Sequence, residues 1–382
     1  MSEYQYYEFQ AVDRPLTGQQ MRELRAYSTR ATITPTRFVN HYEWGNFKGN
    51  AAAWMERYFD AFLYLANWGT RQLMFRLPRR LLDLAVAKQY CRGEAAVART
   101  KGEFVILEFS SEDEEGGGWD DDGTGRLSSL IPLRADLASG DYRLLYLGWL
   151  LCVQAGELGD ETPEPPVPPE LGALTAPLKA FTDFLRLDED LIAAAAAGSP
   201  GHVEAVSDAD VARWVVALPE PEKTAWLLRL ASDQEAHIRA ELLKAFRESR
   251  GLGAVAPGTS RSVAEILEAS QQHAQARRHR EAQRTARERR RREQEAAVAR
   301  DKHLASLAKR EPEAWRQVDA LIATKRPGEY KEAVQLLKDL VELGQKQGRQ
   351  AEVRDRLARL WQEHARKPAL LKRLKASGLL AD

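Results

Sequence analysis

From Tyr4 to Val12 the chain reads YQYYEFQAV, a run of strand formers that halts at Asp13-Arg14-Pro15, where proline cannot continue a central strand. Thr17 then stands as an N-cap before Met21, Leu24 and Tyr27 at helical spacing. ATITPTRFV, from Ala31 to Val39, predicts a second strand, and Pro35 suggests that it lies at an edge. In AAAWMERYFDAFLYLANWGTRQLMF, Trp54, Tyr58, Phe62, Leu65 and Trp68 recur three and four residues apart, while Phe59, Leu63 and Leu73 widen the stripe. This predicts one buried helix from Ala51 to Phe75. A second helix follows Pro78 through Leu81, Leu82 and Val86, and EFVILEF, from Glu103 to Phe109, predicts a strand covered on both faces. Residues 1–160 thus make an α+β domain.

The pattern changes after TPEPPVPPE, where successive prolines predict a stiff linker over residues 161–172. From Leu174 to Arg250 the period is helical throughout, with breaks at Gly198-Ser199-Pro200-Gly201 and at Pro219 and Pro221. Ser207 or Asp208 caps one helix, and Ser232 or Asp233 starts another that carries His237 on its surface. Residues 173–250 form a helical domain that ends in the glycine-rich break GLGAVAPGTS.

Residues 261–310 contain neither proline nor glycine. Apolar residues stand only at the ends, at Val263, Ile266 and Leu267 and again at Val298, Leu304 and Leu307, so the centre lacks the seam of a two-stranded coiled coil. Between them RRHREAQRTARERRRR carries Arg277, Arg278, Arg280, Arg284, Arg287, Arg289, Arg290, Arg291 and Arg292. Pairs four residues apart, such as Arg284 with Glu288 and Arg289 with Glu293, support an isolated helix, which would span roughly 75 Å if continuous. Helix formation does not require this excess of arginine. It predicts either a solvated connector or an arm that contacts DNA or RNA phosphates without reading sequence; aromatic residues for stacking on single strands are missing. A third possibility folds the arm onto the acidic loop from Glu112 to Asp122.

The last stretch, residues 311–382, places Trp315, Val318 and Ile322, then Val334, Leu337 and Leu340, then Val353, Leu357 and Leu360 at helical spacing, with breaks at RPGE and GQKQGRQ. Short loops between amphipathic helices predict a solenoid-like hairpin stack. EYKEAVQLLKDLVELGQKQGRQAEVRDRLARLWQEHARKPALLKRL resembles the helical tail of bacterial SWIM zinc-finger proteins, through an aromatic before an EAV-like helix and a closing H-x-R-K segment from His364 to Lys367. The zinc motif of that family has no counterpart in the chain. The resemblance implies a tetratricopeptide-like tail that binds another protein.

Composition bounds the chemistry. Lys+Arg and Asp+Glu are both 56, so any electrostatic function is local. Cys91 and Cys152 lack zinc spacing, the N-terminus lacks a secretory signal, and YRLLYLGWLLCV is too short for a bilayer, which together suggest a cytoplasmic protein without a membrane partner. Around Asp120, Asp122, Thr124 and Gly125 an EF-hand-like start fails because Ile131 occupies the place of the bidentate glutamate. Residues 110–125 therefore read as an acidic surface loop. Phosphate-loop, dinucleotide, hydrolase-elbow and zincin motifs are missing, so neither metal nor cofactor is expected. The best catalytic candidates are His41 and Glu43, two residues apart after a strand, with Asp13 or Arg71 supplying charge. Taken together, the chain reads as mainly α and as a non-enzymatic interaction or scaffold protein, with nucleic-acid binding as the alternative and an enzyme near His41 as the third reading.

Overall fold

The computed structural model describes residues 4–112, 122–201, 207–231, 237–250 and 261–379. The chain begins with β1 (Gln5–Gln10), α1 (Gly18–Arg25), β2 (Thr32–Thr34), β3 (Arg37–Tyr42), α2 (Ala51–Arg57), β4 (Ala61–Ala66), β5 (Arg71–Pro78), α3 (Leu84–Tyr90), β6 (Ala96–Lys101) and β7 (Phe104–Ser111). The seven strands form one antiparallel sheet in the order β2-β3-β1-β4-β5-β7-β6. Thr17 caps α1 with a full capping box, its hydroxyl accepting from Gln20 N while the Gln20 side chain accepts from Thr17 N. Pro35 lies in the tight turn between β2 and β3, which puts β2 at the sheet edge.

Alternation sorts the strand side chains onto two faces. Phe9, Phe38, Phe62 and Met74 pack beneath α1 and α2 with Leu24, Trp54 and Met55. Leu63, Leu73, Phe75, Leu107 and Phe109 face the other way, into a larger core. That core is closed by α4 (Arg126–Leu130), α5 (Pro132–Ala138), α6 (Arg143–Gln154), α7 (Ala176–Phe184) and α8 (Glu189–Ala197).

The helix expected from Ala51 to Phe75 is instead α2 followed by the hairpin β4–β5. Helix α2 ends at Arg57, and the hairpin turns at Asn67-Trp68-Gly69, where Gly69 takes φ 109°. The reason is burial on both sides of the sheet: AFLYLA is apolar at nearly every position, so it satisfies a 3.6-residue period as readily as a two-residue one. Strand β6 carries no clear sequence signal, because AVARTK is short and mixes apolar with charged residues.

The proline-rich segment is not a free linker. Glu164, Pro165 and Pro168 are buried, Tyr90 Oη donates to Pro166 O at 2.9 Å, and Glu164 N donates to Arg261 O at 2.8 Å. An extended proline segment leaves its carbonyls unpaired, and here neighbouring donors take them. Because α7 and α8 share the sheet's core, the boundary expected at residues 161–172 separates no domains there. Helices α9 (Asp208–Ala217), α10 (Glu220–Ala231) and α11 (Ile238–Ser249) follow, with Ser207 capping α9 through Asp210 N. Phe246 is the one fully buried apolar residue of these three, while Leu227, Leu228 and Leu230 stand about two-thirds exposed. The expected helix start at Ser232 or Asp233, the break at residues 251–260 and residues 113–121 of the acidic loop lie outside the described residues.

The chain divides into two compact units, Met1–Arg277 and Arg278–Asp382. Helix α12 (Val263–Lys309) supplies residues to both. In the second unit, α13 (Glu311–Ala323), α14 (Pro327–Lys346), α15 (Gln350–Glu363) and α16 (Pro368–Ala376) enclose Trp315, Val318, Ile322, Leu337 and Leu370, joined by Leu304 and Leu307 of α12. The breaks fall where RPGE and GQKQGRQ place them. The chain is mainly helical, and no helix among the described residues is long and apolar enough to cross a membrane.

Candidate functional site

The four catalytic candidates do not converge. His41 is exposed on β3, its ring stacked on Tyr4 at 6.4 Å, and Glu43 is exposed in the loop beyond. Arg71 Nη1 donates to the carbonyls of Phe184 at 2.7 Å and Asp183 at 3.3 Å. Asp13 joins a different cluster. Strand β3 ends at Tyr42, so the alternation expected to bring His41 and Glu43 onto one face does not extend to Glu43, and among the described residues no ion pair joins either of them to an acid or base.

The Asp13 cluster starts at Asp60, in the turn before β4. Asp60 Oδ2 accepts from Val12 N at 2.7 Å and Asp13 N at 2.9 Å, and Oδ1 accepts from Arg76 Nη2 at 2.7 Å. Arg134, from α5, donates through Nε to Arg76 O and through Nη1 to Asp13 Oδ1, both at 2.7 Å. His237 Nε2 lies 2.9 Å from Asp13 Oδ1, at ion-pair distance but not aligned for a good hydrogen bond. His237 is thus largely enclosed rather than on the open surface that its charged neighbours suggest. Asp13, Arg134 and His237 line a cleft of about 480 Å³ between α5 and α11, with Ile131, Ala138 and Leu243 as its apolar wall.

Burial pushes the Asp13 carboxyl up, but the contacts from His237 and Arg134 outweigh it and hold the pKa at about 2. So weak a base removes no proton near neutrality, and the cluster acts as a clamp on α11. A carboxyl depressed in the folded state stabilises above its unfolded pKa and loses that contribution as pH falls through the folded value. Between about pH 4 and pH 2, stability should therefore fall by about 2 kcal/mol more in the natural protein than in Asp13→Asn. Urea titrations across that window check this, and equal losses would contradict it.

Cys91 and Cys152 are pushed up by burial to about 12 and about 11, which leaves them as thiols at neutral pH. Among the described residues, no group of three His, Cys, Asp or Glu side chains is placed to hold a metal ion.

The strongest candidate is the arginine helix, a potential nucleic-acid interface. Every residue from Arg280 to Ala299 is exposed. Arg277 is set apart from the expected group, because its Nη2 meets Asp190 Oδ2 at 2.7 Å and its Nη1 meets Glu189 at 3.0 Å. Arg284, Arg289 and Arg291 pair with Glu288, Glu293 and Glu295 at 3.1, 3.0 and 3.4 Å, as four-residue spacing dictates. Arg278, Arg287, Arg290 and Arg292 have no ion pair among the described residues.

Both ends of α12 are fixed. Near its start, Arg261 grips the buried carboxylate of Glu164 through Nε at 2.9 Å and Nη2 at 2.7 Å, Tyr146 Oη donates to the same carboxylate, and Val263 and Ile266 enter the first core. Near its end, Arg300 Nη2 reaches Asp339 at 2.7 Å and Glu342 at 2.6 Å, and His303 reaches Asp339 at 2.9 Å. No family model matches the chain, and no curated protein or solved structure matches it either.

Proposed function

We propose that this protein is a non-enzymatic interaction protein, a scaffold whose two globular units are joined through α12 and whose C-terminal helices engage another protein. The observation that carries this reading is the rooting of one helix in two cores: Val263 and Ile266 are buried with the first unit, and Leu304 and Leu307 with the second. The intervening stretch is fully exposed, so the sequence invests in a solvated helix that buries nothing of its own. Supporting it, the cleft beside Asp13 holds a clamp rather than an acid–base pair, and the resemblance of the tail implies a tetratricopeptide-like binding surface.

Removing residues 311–382 should abolish capture of the partner from a lysate while Met1–Arg277 still unfolds cooperatively. Undiminished capture by the shortened chain would overturn the assignment of the partner surface to the tail.

A second reading is favoured by the arginines of α12 that lack ion pairs. Nine arginines against four glutamates between Arg277 and Glu295 create a local positive field in a chain of zero net charge. Such a field suits salt-sensitive binding to a nucleic-acid backbone.

A further inference from the structure

The charges of α12 are not scattered around the helix. At ~100° per residue, positions spaced four, three and four apart share one face. His279, Gln283, Ala286 and Arg290 form one such row, and the Gln283 amide lies 3.4 Å from the His279 ring. Arg280, Arg284, Arg287 and Arg291 form a second row, rotated ~100° to one side. Arg278, Ala282, Thr285, Arg289 and Arg292 form a third, rotated ~110° to the other side. Glu281, Glu288 and Glu295 recur every seventh residue on the remaining face, opposite the first row. Glu293 is the exception among the glutamates, and it is paired with Arg289 at 3.0 Å.

A connector that needs only solubility has no reason to segregate acids on one face and flank a small-and-polar face with arginine on both sides. A helix lying in a groove with two phosphate walls does. The front row would approach base edges, the flanking arginines would meet the phosphates on either side, and Glu281, Glu288 and Glu295 would point back to solvent. The major groove of B-form DNA, ≈ 12 Å wide, admits an α-helix, whereas the A-form RNA major groove is deep and too narrow for readout. The front row also carries suitable chemistry: glutamine can pair with adenine, arginine with guanine, and Ala286 leaves room for close approach. The exposed pairs of Arg284, Arg289 and Arg291 are weak enough to be exchanged for phosphate contacts.

We infer that residues His279–Arg292 of α12 dock in the major groove of double-stranded DNA, with His279, Gln283, Ala286 and Arg290 facing the bases and arginine rows on both phosphate walls. This rests on the nucleic-acid reading above and narrows it to one form of nucleic acid and one face of the helix.

The test uses the full chain, stripped of bound nucleic acid, in fluorescence-anisotropy titrations against a mixed-sequence DNA duplex, the matching RNA duplex and one DNA strand, at ~50 and ~200 mM salt. The DNA duplex should bind at least ~10-fold more tightly than the other two, with an affinity that falls steeply with salt. Two variants of equal charge then locate the face. Ala286→Glu, in the front row, should weaken duplex binding at least ~10-fold, whereas Ala299→Glu, continuing the glutamate row, should change it less than ~2-fold. Circular dichroism checks that both variants stay helical. Equal binding to the three nucleic acids, or equal loss in the two variants, overturns the groove assignment while leaving phosphate binding intact. Failure to bind any of them at the lower salt overturns both.

Discussion

Replacing Asp60 by alanine lowers the unfolding free energy of the first unit by about 3–5 kcal/mol, the cost of removing one partner of a buried ion pair. The Asp60 side chain is 1% exposed, and the Arg76 side chain against it 7%. Without the carboxylate, Arg76 keeps its contact to Glu56 O at 3.1 Å but loses the groups that balance its charge. The amides of Val12 and Asp13 lose their acceptor as well, so the chain leaving β1 comes loose together with the Arg134 clamp. Asp60→Asn keeps the shape and one acceptor oxygen, and should cost less than alanine. Urea unfolding followed by tryptophan fluorescence reads both, and an alanine effect below about 1 kcal/mol would show that the network carries little of the fold.

Trp315→Ala destabilises the second unit by a similar amount, about 3–5 kcal/mol, for a different reason. Its ring is 2% exposed in the core of α13–α16, with Arg356 over its face at 4.4 Å. Truncation leaves a cavity that Val318, Ile322 and Leu337 cannot fill without moving, because they are themselves completely buried. The second unit is small and has few such side chains, so much of its stability should be lost. Thermal unfolding of the full chain, read by a probe attached within α15, measures the shift.

How far the sequence discloses this structure depends on whether a signal is local. The stop of β1 at Pro15, the Thr17 cap and the breaks of the tail are local, since each is set by the chemistry of one or two residues. Helix α12 is legible for the same reason, because four-residue charge pairs and high helix propensity suffice without a core. The β4–β5 hairpin is not legible, because a strand buried on both faces erases the alternation that would reveal it. The Asp13 cluster is hidden differently: Asp60, Arg134 and His237 reach Asp13 from distant parts of the chain, and none stands in a recognisable motif. His237 looks solvated among its charged neighbours, yet its side chain is 13% exposed once α11 packs on α5. The rows of α12 are written in the sequence, but they define a face open to a partner only because every residue from Arg280 to Ala299 is exposed, so that no face is used in packing.

The interaction reading stands on two cores that each take residues from α12. Native-state hydrogen exchange, resolved by segment, tests that most directly in the natural protein, Asp60→Ala and Trp315→Ala. The account predicts that Asp60→Ala loses protection within Met1–Arg277 and Trp315→Ala within Arg278–Asp382, each leaving the other unit at its natural level. Loss of protection across both units from either substitution would show a single cooperative body and contradict it.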